Sequence, residues 1–347
     1  MVNPMKAARL HSVRSDLSID SVPVPELGAD DVLVELGAAG ICHSDLNYRD
    51  GVAPVARLPI TLGHEFAGRI AGKGARAVGV ETGDHVCLHY VISCGKCRYC
   101  TSGNETYCER YQMIGKDVDG GFSEFVRVPA SNVLKVPASL PYEEAAILGC
   151  AVSTAFHALR RGRAREGETM LVNGLGGLGL HAVQLASSVF KAERIIAVDV
   201  SDAKLDLATK FGADSSVNAN DRDAGNQVRE LTNGRFADLA LDFVGRANTV
   251  ERLLGWMGKG GRLVVVGISS ESVTLSPYRV LIGKEMEIVG VNDHLRSELV
   301  ELIRLVESGT LKLSESITHK LKLEEINEGM RILREQTGNP IRIVVTN

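Results

Sequence analysis

Residues 168–199 leave the chain few choices. A short apolar run, Met170-Leu171-Val172, meets a turn in which Gly174, Gly176 and Gly179 follow the G-x-G-x-x-G order. Gly177 and Leu178 sit inside the turn, and Leu178, Val183, Leu185 and Ala186 then recur with helical spacing. A second apolar run, residues 195–198, ends on a carboxylate, Asp199. This order predicts one strand–turn–helix–strand unit built to take a dinucleotide. Gly174 permits the tight turn, Gly176 lets backbone approach a pyrophosphate, and Gly179 lets helix pack on strand. The helix N-terminus adds free N–H groups and partial positive charge. Asp199 follows Gly179 by 20 residues, the distance at which a carboxylate binds a ribose 2′-hydroxyl. It repels a 2′-phosphate, and Val200, Ser201 and Asp202 follow it with no Arg, so NAD is favoured over NADP. The other reading of such a turn is a glycine-rich βα connection in some other doubly wound domain.

The chain of 347 residues has room for about two domains. Its 44% hydrophobic and 24% charged residues supply core for both. A formal net charge of −4 argues against nucleic acid as a main partner. No apolar run is long enough to span a membrane. Residues 1–6 lack the apolar core of a signal peptide, so a cytoplasmic chain is expected. In that compartment the seven cysteines are better read as metal ligands than as disulfides.

Four of them, Cys94, Cys97, Cys100 and Cys108, lie on one short loop whose glycines, Gly95 and Gly103, let it wrap an ion. Four sulfurs close a tetrahedral shell, so the loop reads as a structural zinc site. An iron–sulfur cluster or disulfides are the alternatives, disfavoured by spacing and by compartment. Around the loop the first half of the chain reads as β-rich, with apolar runs at residues 32–36, 66–70 and 85–88 between Gly, Pro and Asp turns. Cys87 falls in one of these runs and is read as core. Cys42, His64 with Glu65, and Cys150 are ligand-type residues too far apart for spacing to connect them; singly, each is more simply a core or hydrogen-bonding side chain.

The residues resemble the zinc-dependent alcohol dehydrogenases of the medium-chain dehydrogenase/reductase superfamily. The resemblance rests on Gly40-Ile41-Cys42-His43-Ser44-Asp45, Gly63-His64-Glu65, the four-cysteine loop, residues 148–155 (Leu-Gly-Cys-Ala-Val-Ser-Thr-Ala), the glycine turn and Gly338-Asn339-Pro340-Ile341-Arg342. It spans essentially the whole chain. It implies that Cys42, His64 and Cys150 hold a catalytic zinc with an open fourth position, giving two zincs per chain with the structural one. Glu65 and Asp45 match carboxylates that orient the ligands or tune the metal. Ser44 matches the hydroxyl that bonds the substrate oxygen and starts a proton route to solvent. His43 and Arg342 fall where cationic or polar groups meet the cofactor phosphates, and Lys204 where a lysine contacts the adenosine ribose. Tyr90 matches an aromatic pocket wall. Asn47 departs from the pattern: many members carry there the histidine that passes the proton to water, and an amide cannot titrate near neutral pH.

The expected fold is α/β. A β-rich GroES-like catalytic domain (1–155, completed by 293–347) joins a Rossmann doubly wound parallel-sheet domain (156–292). A helix over 142–159 is expected to carry Cys150. Helices at 203–211 and 249–257 and strands at 237–242, 262–267 and 287–291 continue the parallel sheet. The resemblance implies that Val266 and Val291, at strand ends, flank the nicotinamide. Helices at 298–307 and 323–334 and a strand at 341–345 return to the first domain, with the active site at the carboxyl ends of the sheet. The resemblance implies an NAD-dependent alcohol dehydrogenase acting on a small alcohol or carbonyl compound, as a homodimer or homotetramer. The alternatives are the same hydride chemistry on a polyol, hydroxyacyl thioester or enoyl substrate, and a non-catalytic dinucleotide-binding protein on the same fold.

Overall fold

The unit around Gly174 lies at the centre of a six-stranded parallel sheet in the computed structural model, which describes residues 4–275 and 278–347. Residues 1–3, part of the N-terminal segment read above, lie outside the described residues. The chain divides into two units, residues up to Ser153 together with His294–Asn347, and Thr154–Asp293. The expected limits were one or two residues away from these.

In the second unit the strands run in the order Ser215–Asn218, Arg194–Asp199, Thr169–Asn173, Ala237–Asp242, Met257–Val265, Glu287–Gly290, every neighbour pair parallel. This is the doubly wound order, reversing beside the glycine-turn strand. Thr169–Asn173 is buried along its whole length, as expected of a strand covered on both faces. Helices Gly177–Ser188, Asp202–Lys210, Ala224–Leu231 and Ala247–Gly255 connect the strands. Leu171, Ile196, Val198, Ala240, Val250, Leu253, Met257 and Leu263 form one contiguous core. The strand expected at 262–267 instead begins at Met257, with its register shifting between Ala237 and Leu239 on the neighbouring strand. Strand Ser215–Asn218 and helix Ala224–Leu231 add to the elements expected from sequence.

The first unit is built on a seven-stranded sheet. Asp31–Ile41 sits at its middle, between Glu65–Lys73 and Arg342–Thr346. His85–Leu88, Val133–Lys135, Phe125–Pro129 and Ile317–Lys322 complete it, and a smaller three-stranded sheet joins Pro4–Leu10, Ser18–Pro23 and Ile60–Thr61. Asp31–Ile41 alternates half-buried and buried residues before its last four, Ala38 to Ile41, are all buried. The first part is a one-sided strand; the last part enters the core.

The register of this sheet gathers distant residues. Gly40 pairs with Glu65, and Ile41 pairs antiparallel with Ile343. Cys42, His64 and Arg342 therefore leave one end of three adjacent strands. Continuing the pairing of Ala67 with Cys87 brings Tyr90 level with His64. Sequence spacing could not show this, because the register is set by strand pairing.

Residues 142–159 do not form the single helix expected. An α-helix, Tyr142–Ile147, passes into a π-helical turn, Leu148–Val152, before α-helix resumes at Ser153–Arg161. The wider turn carries Cys150. Such π-turns cost hydrogen-bond regularity and cluster at functional sites.

Candidate active site

Cys42, His64, Glu65 and Cys150 are all buried, and one ligand atom from each lies within 4.8 Å of the others. His64 Nε2 and Glu65 Oε1 are buried with no hydrogen-bond partner. Orphaned buried polar atoms of this kind cost free energy unless something satisfies them. Two thiols, an imidazole and a carboxylate converging on one point are the donor set of a zinc ion, so the residues fit the metal. His64 Nδ1 faces the other way, 3.3 Å from Asp45 Oδ1. Asp45 in turn accepts the Cys42 backbone N–H at 2.9 Å. The carboxylate thus faces both the His64 ring and the Cys42 backbone, as outer partners of metal ligands do.

The charges of the site are set by these contacts. The hydrogen bond from Cys150 holds the Cys42 thiol well below its usual range, with further help from His64. Cys150, giving that bond, is held well above. Burial opposes charge on His64, but Asp45 and Cys42 keep its pKa well above the ordinary value. Burial pushes the Glu65 carboxyl up to about 7 against the pull of Arg342.

Arg342, expected on the cofactor phosphates, is buried, and its guanidinium donates to Glu65 Oε2. The two residues are 277 positions apart. Ser44 is half-buried with its hydroxyl 3.8 Å from Cys42 Sγ, on the helix His43–Arg49 that starts directly after Cys42. Asn47 is half-buried three residues along the same helix, and His43 is exposed. Tyr90 is buried, its ring edge-on to His64 at 5.4 Å.

The four-cysteine loop closes on itself. Cys94 Sγ and Cys97 Sγ lie 3.9 and 3.5 Å from Cys100 Sγ. A tetrahedron with metal–sulfur bonds near 2.3 Å needs sulfurs about 3.8 Å apart. None of the cysteines forms a disulfide among the described residues. Backbone N–H groups of Cys94, Cys97 and Arg110 donate to loop sulfurs at 3.2–3.3 Å, which favours thiolates. Burial pushes Cys87, in its core strand, up to about 12.

The glycine turn separates its three duties clearly. Gly174 has φ +89°, a conformation other residues rarely adopt. A Cβ on Gly179 would meet the Gly174 carbonyl oxygen at 2.0 Å. A Cβ on Gly176 would meet nothing within 4 Å. Gly176 is the N-cap of helix Gly177–Ser188, so the open space lies where the first N–H groups point. The turn fits a pyrophosphate.

Asp199 accepts backbone N–H groups from Leu175 at 2.7 Å, Val200 at 2.8 Å and Ser201 at 3.0 Å. It closes the glycine turn onto the next strand. Lys204 is half-buried on helix Asp202–Lys210, and Leu178 is half-buried on the first turn of its helix. Val266 and Val291 are half-buried just past their strands, tied by N–H donation to Asp242 at 2.9 Å and Val265 at 3.0 Å. Asp242, at the end of its strand, is fully buried and accepts from Asn173, Val244 and Gly245, a role with no local sequence signal. It shapes the neighbouring loop as Asp199 shapes its own.

Comparison with known proteins agrees with this geometry. Residues 28–138 match the alcohol dehydrogenase GroES-like domain, and residues 177–308 match the zinc-binding dehydrogenase domain. The chain is 35% identical to an alcohol dehydrogenase of Geobacillus stearothermophilus over 98% of its length and all of the relative's. It is 31% identical to a sorbitol dehydrogenase of Bacillus subtilis, covering 98% of this chain and 97% of that one. A solved NAD-dependent alcohol dehydrogenase superposes with a TM-score of 0.92 at 32% identity, over 99% of this chain and all of the other. The chain belongs to the zinc-dependent alcohol dehydrogenases of the medium-chain dehydrogenase/reductase superfamily. It is an oxidoreductase of that family.

Proposed function

We propose that the protein catalyses reversible hydride transfer between a primary or secondary alcohol and NAD, giving an aldehyde or ketone. One catalytic and one structural zinc per chain belong to this reading. The observation that carries it is the convergence of Cys42, His64 and Cys150 beside the Ser44 hydroxyl. Bound zinc supplies Lewis-acid polarisation of the substrate oxygen, and the bound dinucleotide supplies the hydride acceptor.

The chain's own residues do the rest. Cys42, His64 and Cys150 hold the metal, with Asp45 fixing the imidazole and Arg342 steadying Glu65. Ser44 bonds the substrate hydroxyl and takes its proton. With Asn47 where many relatives carry histidine, the proton leaves Ser44 through water or His43. Gly176, Gly177 and Leu178 offer backbone N–H groups to the pyrophosphate, and Asp199 and Lys204 take the ribose. Two carboxylate-centred features favour NAD over NADP: Asp199 at the strand end and Asp202, exposed, three residues beyond.

A polyol is the second reading, favoured by one observation. Ser44 and Asn47, three residues apart, lie on neighbouring positions of one short helix and give the site a polar side. The similarity to a sorbitol dehydrogenase points the same way. Absorbance of NADH during turnover of primary, secondary, cyclic and polyhydroxylated alcohols tests the proposal, with NADP run in parallel. Reduction of NAD by simple alcohols supports it, reduction by polyols alone supports the second reading, and reduction of NADP at an equal rate removes the cofactor preference.

A homodimer or homotetramer through the cofactor-binding unit is also proposed. Glu287–Gly290 is the outermost strand of the parallel sheet, and Ile268, Tyr278, Ile282 and Ile288 around it are exposed. An exposed apolar edge strand is a pairing surface. No described helix is long and apolar enough to cross a membrane. A cytoplasmic location is proposed from the thiol-rich metal sites.

A further inference from the structure

Behind Tyr90 lies a row of rings that none of the chemistry above uses. Tyr90 stands edge-on to His64, with centroids 5.4 Å apart. It also stands edge-on to His294, at 4.9 Å. His294 is fully buried and meets His89 edge-on at 4.8 Å, with His294 Nε2 3.0 Å from His89 Nδ1. One ring donates and the other accepts, so each fixes the tautomer and the tilt of its partner. Burial pushes the His89 pKa down to about 3, so that ring stays neutral at ordinary pH and acts by position alone.

Two sets of contacts anchor the row. The buried Asn132 side chain donates to the His89 and Val91 carbonyls at 2.6 and 2.8 Å, while the His89 N–H donates to the Asn132 carbonyl at 2.7 Å. The Tyr90 carbonyl accepts from the Ile114 N–H at 3.0 Å. The backbone under Tyr90 is thereby clamped on both sides. Glu105 supplies the second anchor. It lies between Cys100 and Cys108 in the four-cysteine loop, and Oε1 accepts the Arg296 N–H at 2.5 Å, two residues past His294. The same oxygen lies 3.8 Å from His89 Nε2. The metal loop thus holds the start of helix Arg296–Glu307, and with it His294.

We propose that His294, held by His89 and by Glu105 of the four-cysteine loop, is a positioning residue that fixes the Tyr90 ring against His64 and so sets which alcohols the site accepts. The structural-metal loop then has a second consequence besides stability: its order reaches the pocket wall through Glu105, Arg296 and His294. The inference about alcohols rests on the dehydrogenase reading; the inference about Tyr90 does not. Removing the His294 ring takes away one of the two edge-on ring contacts of Tyr90. Replacing it with phenylalanine keeps a ring beside Tyr90 and loses the bond to His89.

The test uses zinc-loaded protein with selectively labelled tyrosine and two readouts. The first is the ring-flip rate of Tyr90 by NMR, its signal assigned with Tyr90→Phe. The second is the ratio of kcat/KM for a bulky and a small alcohol. His294→Ala is expected to speed the flip and shift the ratio, each by about tenfold, the worth of one aromatic pair. The shift appears in KM for the bulky alcohol, with kcat for the small one unchanged within about twofold. His294→Phe restores most of the flip barrier, and Glu105→Ala loosens Tyr90 in the same direction as His294→Ala. Should His294→Ala not fold, Glu105→Ala carries the test. A Tyr90 flip rate unchanged in the Ala variant that folds overturns the proposal. So does an equal fall in activity on every alcohol, which marks a merely structural role. Wild type inactive on every alcohol refutes the dehydrogenase reading and leaves the ring-flip result to decide the positioning of Tyr90.

Discussion

Gly176→Ala and Gly179→Ala change one hydrogen to one methyl three residues apart, and the structure assigns them opposite outcomes. At Gly176 the added Cβ meets nothing within 4 Å, and φ −78° with ψ −163° is ordinary extended backbone. The folded protein loses nothing, and the unfolded chain loses freedom, so stability rises by about 0.4–1 kcal/mol. The methyl fills the space reserved for the pyrophosphate, however, and pushes it off the helix N–H groups. Losing one charge-assisted hydrogen bond costs about 1.5–3 kcal/mol, roughly tenfold to a hundredfold in dinucleotide affinity. At Gly179 the methyl falls 2.0 Å from a backbone oxygen that cannot rotate away. Overpacking of that sort costs about 1–3 kcal/mol or more, and the turn is displaced with it. The assay is thermal melting of each variant with and without NADH, together with titration calorimetry. Gly176→Ala is expected to melt at or above wild type and to lose the NADH-induced shift. Gly179→Ala is expected to melt several degrees lower. Wild-type NADH affinity in Gly176→Ala would refute the placement of the pyrophosphate.

Other outcomes follow from the same contacts. Asp199→Asn keeps acceptors for some of its three backbone donors but removes the charge, so the ratio of NAD to NADP efficiency should fall by about tenfold or more, read from initial rates. Arg342→Met strands the buried Glu65 carboxylate, and melting should show a loss of about 3–5 kcal/mol; a loss under 1 kcal/mol contradicts the buried pair. Burial holds Cys87 near 12, and the thiolate is the reactive form, so Cys87 should stay unalkylated at pH 8 in folded protein, by peptide mass mapping, and react only on unfolding. Ile282→Lys and Ile288→Lys should shift the sedimentation of the native assembly toward monomer without altering the fold by circular dichroism.

Local order in the chain carried much of the fold. The strand expected at 237–242 is Ala237–Asp242, and the helix expected at 203–211 is Asp202–Lys210, because each has period, length and punctuation in one short stretch. Ser215–Asn218 was not legible: it is short, polar and made a strand only by its neighbour Arg194–Asp199. The π-turn at Cys150 was hidden for another reason. An extra residue in one turn leaves the apolar pattern of 142–159 nearly unchanged, although it alters where Cys150 points.

The site divides in the same way. The clustering of the four-cysteine loop was readable from spacing, because its four sulfurs lie within one short segment. Cys42, His64 and Cys150 were connected only through a resemblance; their meeting depends on strand register, which Gly40 opposite Glu65 makes visible. Arg342 on Glu65 and His294 on His89, 277 and 205 positions apart, are pairings of the fold with no local signal at all.

The central claim is a metal held by Cys42, His64 and Cys150 that is required for hydride transfer. Its most direct test is zinc per chain, by elemental analysis, set beside single-turnover NADH formation in wild type, Cys150→Ser and His64→Ala. The account predicts two zincs in wild type, one in each variant, and hydride transfer abolished with the fold and NADH binding retained. One zinc in an active wild type, with turnover unchanged by either substitution, would contradict it.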